Sequence, residues 1–384
     1  MTQQAIPFFR PSIGEEEASA VAECLRSGWL TTGPKTAKFE TDFAAFLGGG
    51  VEAIAVNSAT AALHLGLEAL GVGPGDEVIV PTLTFTATAE VVRYLNATPV
   101  FVDIDADTFC VSIDQVAAAI TPRTKVIMPV HFAGRMCDMT ALRALADVHG
   151  IRILDDAAHA LPAFHAGKPV GKCGADVTAF SFYANKTITT GEGGMLVTAD
   201  PAIAARVKVM RLHGIDRDVF KRFTDPRASW VYDVVAPGYK YNLTDIASAM
   251  GIVQLGRAND FARIRTERAQ RYDAAFGNLP LILPPRAACG DQHSWHLYIV
   301  QVADAAPVDR DEFILALTEA RIGTSVHYRP LHQMTFWKQF CEGQIFPGAD
   351  HVFQRCVSLP LFMAMTDEEQ DRVIDVVRTV LTRS

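Results

Sequence analysis

Short apolar runs alternate with helix-like stretches over residues 51–200. The apolar runs are AIAV, EVIVP, PVFVDI, KVIMPVH, IRILDD, VTAFSF and MLVT, and the helix-like stretches include ATAALHLGLEAL, TATAEVVRYL, IDQVAAAI and MTALRALADVHG. Strands that are apolar on both faces and separated by helices are typical of a mainly parallel sheet with helices covering it. The pattern therefore predicts a large α/β domain.

A second unit is predicted beyond 237–242, where this alternation breaks. The helical stretch TDIASAMGIVQLGRANDFARIRTERAQRYDAAF follows and is long enough to link two domains. After it, the strand candidates HLYIVQV and GTSVHY and the helical patterns RDEFILALTEAR and DEEQDRVIDVVRTVL indicate a small α/β domain of about 100 residues. We expect a large domain over 1–250 and a small C-terminal domain, with the linking helix, over 251–384.

Composition narrows the class of protein. The chain has 384 residues, 49% of them hydrophobic, which is enough for two cores. None of its apolar runs is long enough to span a bilayer, and its N-terminal residues lack the pattern of a signal peptide. Seven cysteines occur singly, and the basic residues of a chain with net charge −8 are dispersed. These features predict a cytoplasmic protein without nucleic-acid binding or membrane insertion.

The stretch SFYANKTITTGEGG places Lys186 between an apolar strand and a glycine-rich turn. Taken alone, it fits an ordinary surface lysine. A lysine amine becomes a nucleophile near neutral pH only when a partly desolvated pocket lowers its pKa, and the apolar strand and tight turn can supply such a pocket. Lys186 is therefore a candidate for Schiff-base chemistry.

The run IRILDDAAHA ends a predicted buried strand in two aspartates, where an open α/β sheet binds its ligands. Asp156 and Ala158 are two residues apart and share a face, so they can present a carboxylate and a small surface to one flat ligand. Two alternatives stay open: a metal site formed by Asp155, Asp156 and His159, and a carboxylate that only caps the next segment.

The run VNSATAA is a short strand followed by small residues that begin a helix. Such a helix start offers free N–H groups and a positive dipole end to a phosphate, although Ser58 or Thr60 as a simple N-cap fits equally well. Phe85 begins another helix and can stack on an aromatic ring, although core packing is the simpler interpretation of an isolated phenylalanine. Neither LGVGPGDE nor GEGG has the spacing of a dinucleotide-binding or P-loop motif.

Together these features match one cofactor. Pyridoxal 5'-phosphate (PLP) needs an amine for a Schiff base, an acid for its pyridine nitrogen, a phosphate cup and a stacking face. The four candidate features supply one each.

The motifs VNSATAALHLGLEALGVGPGDEVIVPTLTFTAT, FVDIDADTF, LDDAAHA, SFYANKTITTGEGG and PGYKYNLTDIASAMGIVQL closely resemble those of the DegT/DnrJ/EryC1/StrS family of sugar aminotransferases. The likeness extends from SGWLTTGPKTAKFE to SLPLFMAMTDEE, nearly the whole chain. It implies a PLP-dependent transferase of fold type I, the aspartate-aminotransferase architecture.

The resemblance also implies roles for individual residues. Lys186 would form the Schiff base, Asp156 would pair with the pyridinium nitrogen, and His159 would lie beside the phenolic oxygen. Phe85 would stack on the ring. The phosphate would be held by Ala59, Thr60 and Ser181, joined by Asn242 of a neighbouring subunit in a homodimer with shared active sites.

The implied reaction is transfer of an amino group from glutamate to the keto group of a nucleotide-linked keto sugar for polysaccharides such as lipopolysaccharide. The forms GWLTTGPK, DAAHA and APGYKYNLTD favour C4 of a UDP-sugar, whereas Phe85 and Glu90 stand where related members have tryptophan and asparagine. His327 and Arg329 are candidates for contacting substrate, with a structural strand-end histidine as the alternative. His293 and His296 alternate with Trp295, which predicts ordinary strand residues rather than zinc ligands.

Three other functions remain possible at this point. A sugar dehydratase of the same fold would have histidine in place of Lys186. A non-catalytic regulator that binds PLP or a sugar would not need a lysine able to carry protons. A transaminase for a 3-keto nucleotide sugar or a cyclitol would keep every residue of the cofactor site, so the sequence discriminates poorly against it.

Overall fold

The structure, a computed structural model, describes residues 4–216, 232–288 and 290–382. Its first nine strands are β1 (Glu52–Val56), β2 (Glu77–Pro81), β3 (Thr98–Val102), β4 (Thr124–Ile127), β5 (Arg152–Asp156), β6 (Phe164–His165), β7 (Lys168–Pro169), β8 (Val177–Ser181) and β9 (Gly194–Thr198). Seven of them form one sheet in the order β1-β9-β8-β5-β4-β2-β3, and β6 pairs with β7. Only β9 runs antiparallel to its neighbours in the large sheet. The prediction of a mainly parallel sheet is confirmed.

Helices cover both faces of this sheet. They are α1 (Glu15–Ser27), α2 (Pro34–Phe46), α3 (Ala59–Ala69), α4 (Ala87–Tyr94), α5 (Ile113–Ala119), α6 (Met139–His149), α7 (Pro201–Met210) and α8 (Asp245–Gly256). Alternate strand residues enter different cores: Ile54 and Val56 pack with α3, whereas Ala53 and Ala55 pack with α2 and α6. This two-sided burial explains why the strands are continuously apolar in sequence.

Caps determine where several of these helices begin. The side chains of Ser58, Asp138, Asp200 and Thr244 each accept a hydrogen bond from a backbone N–H in the first turn of α3, α6, α7 and α8. These bonds satisfy donors that have no partner inside the helix.

The remaining elements are α9 (Ala258–Phe276), β10 (Leu281–Ile282), β11 (Tyr298–Val302), α10 (Arg310–Glu319), α11 (Pro347–Arg355), β12 (Cys356–Leu359) and α12 (Asp367–Leu381), with short 3-10 helices at Phe132–Gly134, Leu331–Gln333 and Trp337–Phe340. Strands β10, β11 and β12 form an antiparallel sheet in that order. A separate core that includes Tyr272, Tyr298, Phe313 and Val377 lies around it. The division at 250/251 stays a prediction, and that position lies inside α8.

Three local predictions were wrong. GTSVHY makes only the isolated bridge Ser325↔Ser358 instead of a strand, although the earlier candidate HLYIVQV does form β11. The long helical stretch is two helices that meet at Arg257. The segment from His293 to His296 precedes β11 as irregular buried backbone, with Trp295 at φ 52°.

Within residues 4–216, 232–288 and 290–382, no helix combines the length and the apolar character needed to cross a bilayer.

Candidate active site

One cavity of about 470 Å³ lies where the carboxyl ends of β5 and β8 meet the starts of α3 and α4. This is the edge at which open α/β sheets bind ligands. Eight of the ten predicted site residues line the cavity: Ala59, Thr60, Phe85, Asp156, His159, Ser181, Lys186 and His327. Residues from separate parts of the chain therefore share one space.

Lys186 lies in the turn between β8 and β9, and its N–H donates to the carbonyl of Tyr183 at 2.9 Å. Lys186 is partly exposed as a residue and lines the wall of the cavity. Burial lowers the pKa of Lys186 to about 8, and the negative charge of Asp156 opposes that shift. About a tenth of the amine is therefore unprotonated at pH 7, and this unprotonated form is the nucleophile.

Asp156 ends β5 and is 5% exposed. Its Oδ2 accepts a hydrogen bond from Thr88 Oγ1 at 2.9 Å, and its Oδ1 accepts one from Ala158 N at 3.0 Å. Burial raises the pKa of Asp156, whereas these two bonds and the charge of Lys186 lower it. The bond from Ala158 has the form of a cap, but the carboxylate also faces the cavity, so capping is not its sole role.

Asp155, the neighbour of Asp156, points elsewhere and forms a buried pair with His131 at 2.9 Å. Within the described part of the chain, no group of three or more His, Cys, Asp or Glu side chains is placed to hold a metal ion. The alternative metal site formed by Asp155, Asp156 and His159 is therefore not assembled.

The start of α3 provides a cup for an anion. Ser58 caps the helix by accepting from Ala61 N at 3.1 Å, and the N–H groups of Ala59 and Thr60 lie in the first turn, where the helix has no carbonyl to offer them. Strand β9 passes very close: a Cβ on Gly194 would lie 2.5 Å from the Ser58 carbonyl carbon. The glycine thus permits β9 to pack against the cup.

Phe85 is 57% exposed and lines the cavity, with its ring centroid 5.9 Å from that of Tyr328. Core packing, the simpler interpretation of this residue, is therefore wrong. Ala158 also lines the cavity. An exposed aromatic ring and a small apolar side chain are suited to a flat ligand.

His159 is 7% exposed, and its Nδ1 accepts a hydrogen bond from Ala133 N at 3.3 Å. Its Nε2 lies 3.3 Å from the hydroxyl of Tyr328. The pKa of His159 is well below its usual value, mainly because the ring is buried and also because the positive charge of Lys186 is close. The ring is therefore neutral at physiological pH.

His327 is 8% exposed, lines the cavity, and pairs through Nδ1 with Ser358 Oγ at 2.7 Å. Burial lowers its pKa to about 4. Arg329 lies outside the cavity lining, is exposed, and donates to the carbonyl of Gln333 at 3.0 Å. Asn242 also lies outside the lining in its own chain, where its amide donates to Thr32 Oγ1 at 2.7 Å.

Sequence reasoning missed several residues of this site. Thr88 donates to the carboxylate of Asp156, and Tyr328 pairs with His159. The ring of His296 packs against that of His159 with centroids 4.3 Å apart and an interplanar angle of 37°. Thr88 lies in the first turn of α4, three residues after Phe85 in sequence, and this proximity to a candidate residue could have drawn attention to it. The contacts of Tyr328 and His296 are long-range and left no signal in the local pattern.

Four features of this site fit PLP without reference to any related protein. The amine has a lowered pKa, the buried carboxylate has two donors, the helix start has free N–H groups, and an exposed phenylalanine borders the same cavity. Such a set suits a phosphorylated, planar, cationic ring that carries an aldehyde.

Comparison with known proteins agrees with this fit. The profile of the DegT/DnrJ/EryC1/StrS aminotransferase family matches residues 11–378. The spore coat polysaccharide biosynthesis protein SpsC of Bacillus subtilis is 46% identical over 380 residues, which cover 98% of this chain and 97% of SpsC.

Solved structures are similar over the whole length. Spr1654 of Streptococcus pneumoniae, a candidate sugar aminotransferase, is 38% identical to this chain and covers 99% of it. The TM-score is 0.91 for its PMP-form, of which 99% is covered, and 0.90 for its PLP-form, of which 100% is covered. DesV of S. venezuelae, in complex with a ketimine intermediate, has 33% identity, complete coverage of both chains and a TM-score of 0.90. These similarities confirm the expected fold, a PLP-dependent transferase of type I.

Proposed function

Because the chain belongs to the DegT/DnrJ/EryC1/StrS aminotransferase family, it is a PLP-dependent sugar aminotransferase, and we propose that it transfers an amino group from glutamate to a nucleotide-linked keto-deoxy sugar. We place the keto group at C4 of a UDP-sugar. The observation that carries the proposal is the presence of Lys186, Asp156 and the phosphate cup around one cavity.

The proposed roles follow from the chemistry of each group. When bound, the cofactor supplies an electron sink. The Lys186 amine moves a proton between the α-carbon of the donor and C4′ of the cofactor, which requires the lowered pKa. The ionised Asp156 would keep the pyridine nitrogen of the bound cofactor protonated, and His159 would lie beside its phenolic oxygen. Phe85 would stack on its ring.

The proposed phosphate site comprises the first-turn N–H groups of Ala59 and Thr60 together with Ser181 at the end of β8. The helix dipole and these donors favour a dianion at this position. For the substrates, we propose His327 on the cavity wall and Arg329 beside it. The exposed guanidinium of Arg329 donates to the Gln333 carbonyl and has further N–H donors for a carboxylate or a phosphate.

We further propose a homodimer with shared active sites, in which Asn242 of each chain completes the phosphate site of the other. Support comes from the position of Asn242 outside its own cavity and from the exposure of large apolar residues such as Tyr183 at the cavity and Val234 and Val235 near Asn242 in sequence. We place the enzyme in the cytoplasm, where the product would serve synthesis of a surface polysaccharide such as lipopolysaccharide.

Absorption spectroscopy tests the donor reaction first. The purified protein should show a visible Schiff-base band that gives way to the near-ultraviolet band of the pyridoxamine form when glutamate is added. Lys186→Ala should lack the visible band unless an amine is supplied. A colourless protein in excess PLP, or a band that glutamate does not change, would instead support a non-catalytic regulator.

The acceptor is tested by supplying the pyridoxamine form with keto sugars. We expect return of the visible band with a UDP-4-keto sugar. If the visible band returns only with a 3-keto nucleotide sugar or with a cyclitol ketone, that compound is the acceptor and the C4 assignment is wrong. Release of a dehydrated sugar without transfer of nitrogen would indicate a dehydratase, a reaction that Lys186 argues against.

Mixing two inactive variants tests the shared site. Lys186→Ala and Asn242→Asp chains, unfolded and refolded together at equal amounts, should regain about a quarter of wild-type activity, because half the dimers are mixed and each has one intact site. Refolding each variant alone is the control. If Asn242 acts within its own chain, the mixture stays inactive.

A further inference from the structure

The hydrogen bonds around His159 determine its tautomer. Ala133 N–H can only donate, so Nδ1 of His159 accepts and the single proton of the neutral ring lies on Nε2. Nε2 faces the hydroxyl of Tyr328 at 3.3 Å, so the imidazole N–H donates to the phenol oxygen. The phenol proton of Tyr328 is consequently free to point at another acceptor.

The donor Ala133 is itself held by a distant part of the chain. Ala133 and Gly134 form a turn with positive φ values of 56° and 103°. Ser294 N donates to the Gly134 carbonyl at 3.0 Å, Leu297 N donates to the Ala133 carbonyl at 3.2 Å, and Ser294 Oγ donates to the His159 carbonyl at 2.6 Å. A Cβ at Gly134 would lie 2.0 Å from Ser294 Oγ. The segment before β11 therefore locks both the turn and His159.

Tyr328 lies in the wall of the same cavity as Lys186 and Asp156. Its ring is held by Phe85, Phe132 and His327, whose ring centroids lie 5.9, 5.9 and 4.8 Å away. A phenol packed by these rings, with the N–H of His159 directed at its oxygen, has little freedom to rotate away.

We infer that Tyr328 is a further catalytic residue, whose hydroxyl, oriented by His159, donates a hydrogen bond to the phenolic oxygen of the bound cofactor. The inference rests on the proposed position of that oxygen beside His159. His159 then has a positioning role. Because its Nδ1 accepts from Ala133 N–H, its Nε2–H donates to the phenol oxygen and so orients the hydroxyl of Tyr328. The donor stabilises the negative charge on the cofactor oxygen.

Tyr328 remains a proton donor because of its surroundings. Burial, together with the charge of Asp156, raises the pKa of Tyr328 above its usual range. The other titratable groups that line the cavity are Asp156 at the end of β5, His159 after that strand, Tyr183, Lys186 and Glu192 between β8 and β9, and its neighbour His327. The two histidines are neutral, so Tyr328 has no charged base among its direct hydrogen-bond partners.

The test is a pH titration of the cofactor chromophore in the holoenzyme. A donor to the phenolic oxygen stabilises that oxygen most when the adjacent Schiff-base nitrogen is unprotonated. Tyr328→Phe should therefore raise the chromophore pKa by about one to two units, the range expected for one hydrogen bond to a charged group. Tyr183→Phe, at another tyrosine that lines the cavity, should leave the chromophore pKa unchanged.

A second substitution covers the case in which Tyr328→Phe fails to fold or to bind PLP. Site-specific 3-fluorotyrosine at 328 makes the phenol a stronger donor without changing its shape and should lower the chromophore pKa. An unchanged chromophore pKa in either variant, with a raised KM for the keto sugar, would overturn the inference and assign Tyr328 to the acceptor. Absence of a Schiff base in the wild-type protein would instead contradict the proposed function itself.

Discussion

The hydroxyl of Thr88 lies 2.9 Å from Oδ2 of Asp156 and donates a hydrogen bond to it. Thr88 belongs to α4 and Asp156 ends β5, so the bond joins two elements that are 68 residues apart in sequence. It acts against burial, which raises the pKa of the carboxyl. Thr88 therefore helps to keep the carboxylate ionised, as the proposed pairing of Asp156 with the pyridine nitrogen requires.

Thr88→Val should remove that donor while keeping the shape of the side chain. Because a hydrogen bond to a charged group contributes about 1.5–3 kcal/mol, we expect kcat to fall about 10- to 100-fold, with weaker binding of PLP. Steady-state kinetics and PLP titration measure the two effects.

The matched control for Thr88→Val is Thr198→Val. It also removes a buried threonine hydroxyl, one that donates to the Asp176 carbonyl away from the cavity. Thr198→Val should lower the free energy of unfolding but leave kcat at the wild-type value. Equal kcat for Thr88→Val and wild type would show that Asp156 does not depend on this bond.

Uptake of PLP by the apoenzyme should depend on pH through Lys186. The unprotonated amine is the nucleophile, so the rate should rise with pH and level off above the lysine pKa of about 8. The charge of Asp156 raises that pKa, so Asp156→Asn should move the midpoint to lower pH. Stopped-flow absorbance on mixing with PLP measures both curves. A rate still rising steeply well above pH 8, or a midpoint that moves upward in Asp156→Asn, would contradict this account.

Gly194→Ala should disturb the proposed phosphate site at the start of α3. The new Cβ would lie 2.5 Å from both the carbonyl carbon and the oxygen of Ser58, so β9 and the start of α3 must separate. We expect weaker PLP binding by about 10-fold or more, since a backbone clash of this kind costs about 1–3 kcal/mol. Gly256→Ala, at the end of α8 with open space around the position, should bind PLP like wild type. Wild-type affinity in Gly194→Ala would mean that the cup does not hold the phosphate.

His327 should make the folded state sensitive to acid. Burial lowers its pKa to about 4 from the usual 6.5, so the unfolded chain binds its proton first as the pH falls. Stability from this residue is complete above pH 6.5 and declines toward pH 4 by about 1.4 kcal/mol per pH unit. Denaturant unfolding at several pH values should therefore show a shallower decline for His327→Gln than for wild type. Equal slopes would show that folding does not lower the pKa of His327.

Much of the large sheet was predictable from local pattern. All seven apolar runs form strands, because a strand buried on both faces requires continuous apolar residues whatever its neighbours are. GTSVHY was also predicted to be a strand, yet it makes one bridge, at Ser325, and its last two residues, His327 and Tyr328, line the cavity. Local pattern does not distinguish a strand from an extended segment held by long-range contacts.

The sequence by itself determined the chemistry of this protein: the order of strands and helices, the lysine after β8, the aspartate at the end of β5 and the small residues that begin α3. These features depend on local periodicity and on residue type, both of which can be read directly from the sequence. Only the tertiary structure decided which groups tune that chemistry. The donor on Asp156, the tautomer of His159 and the direction of the Tyr328 hydroxyl arise from contacts between residues far apart in sequence. A linear pattern contains neither the distance between such residues nor which of them donates the hydrogen bond.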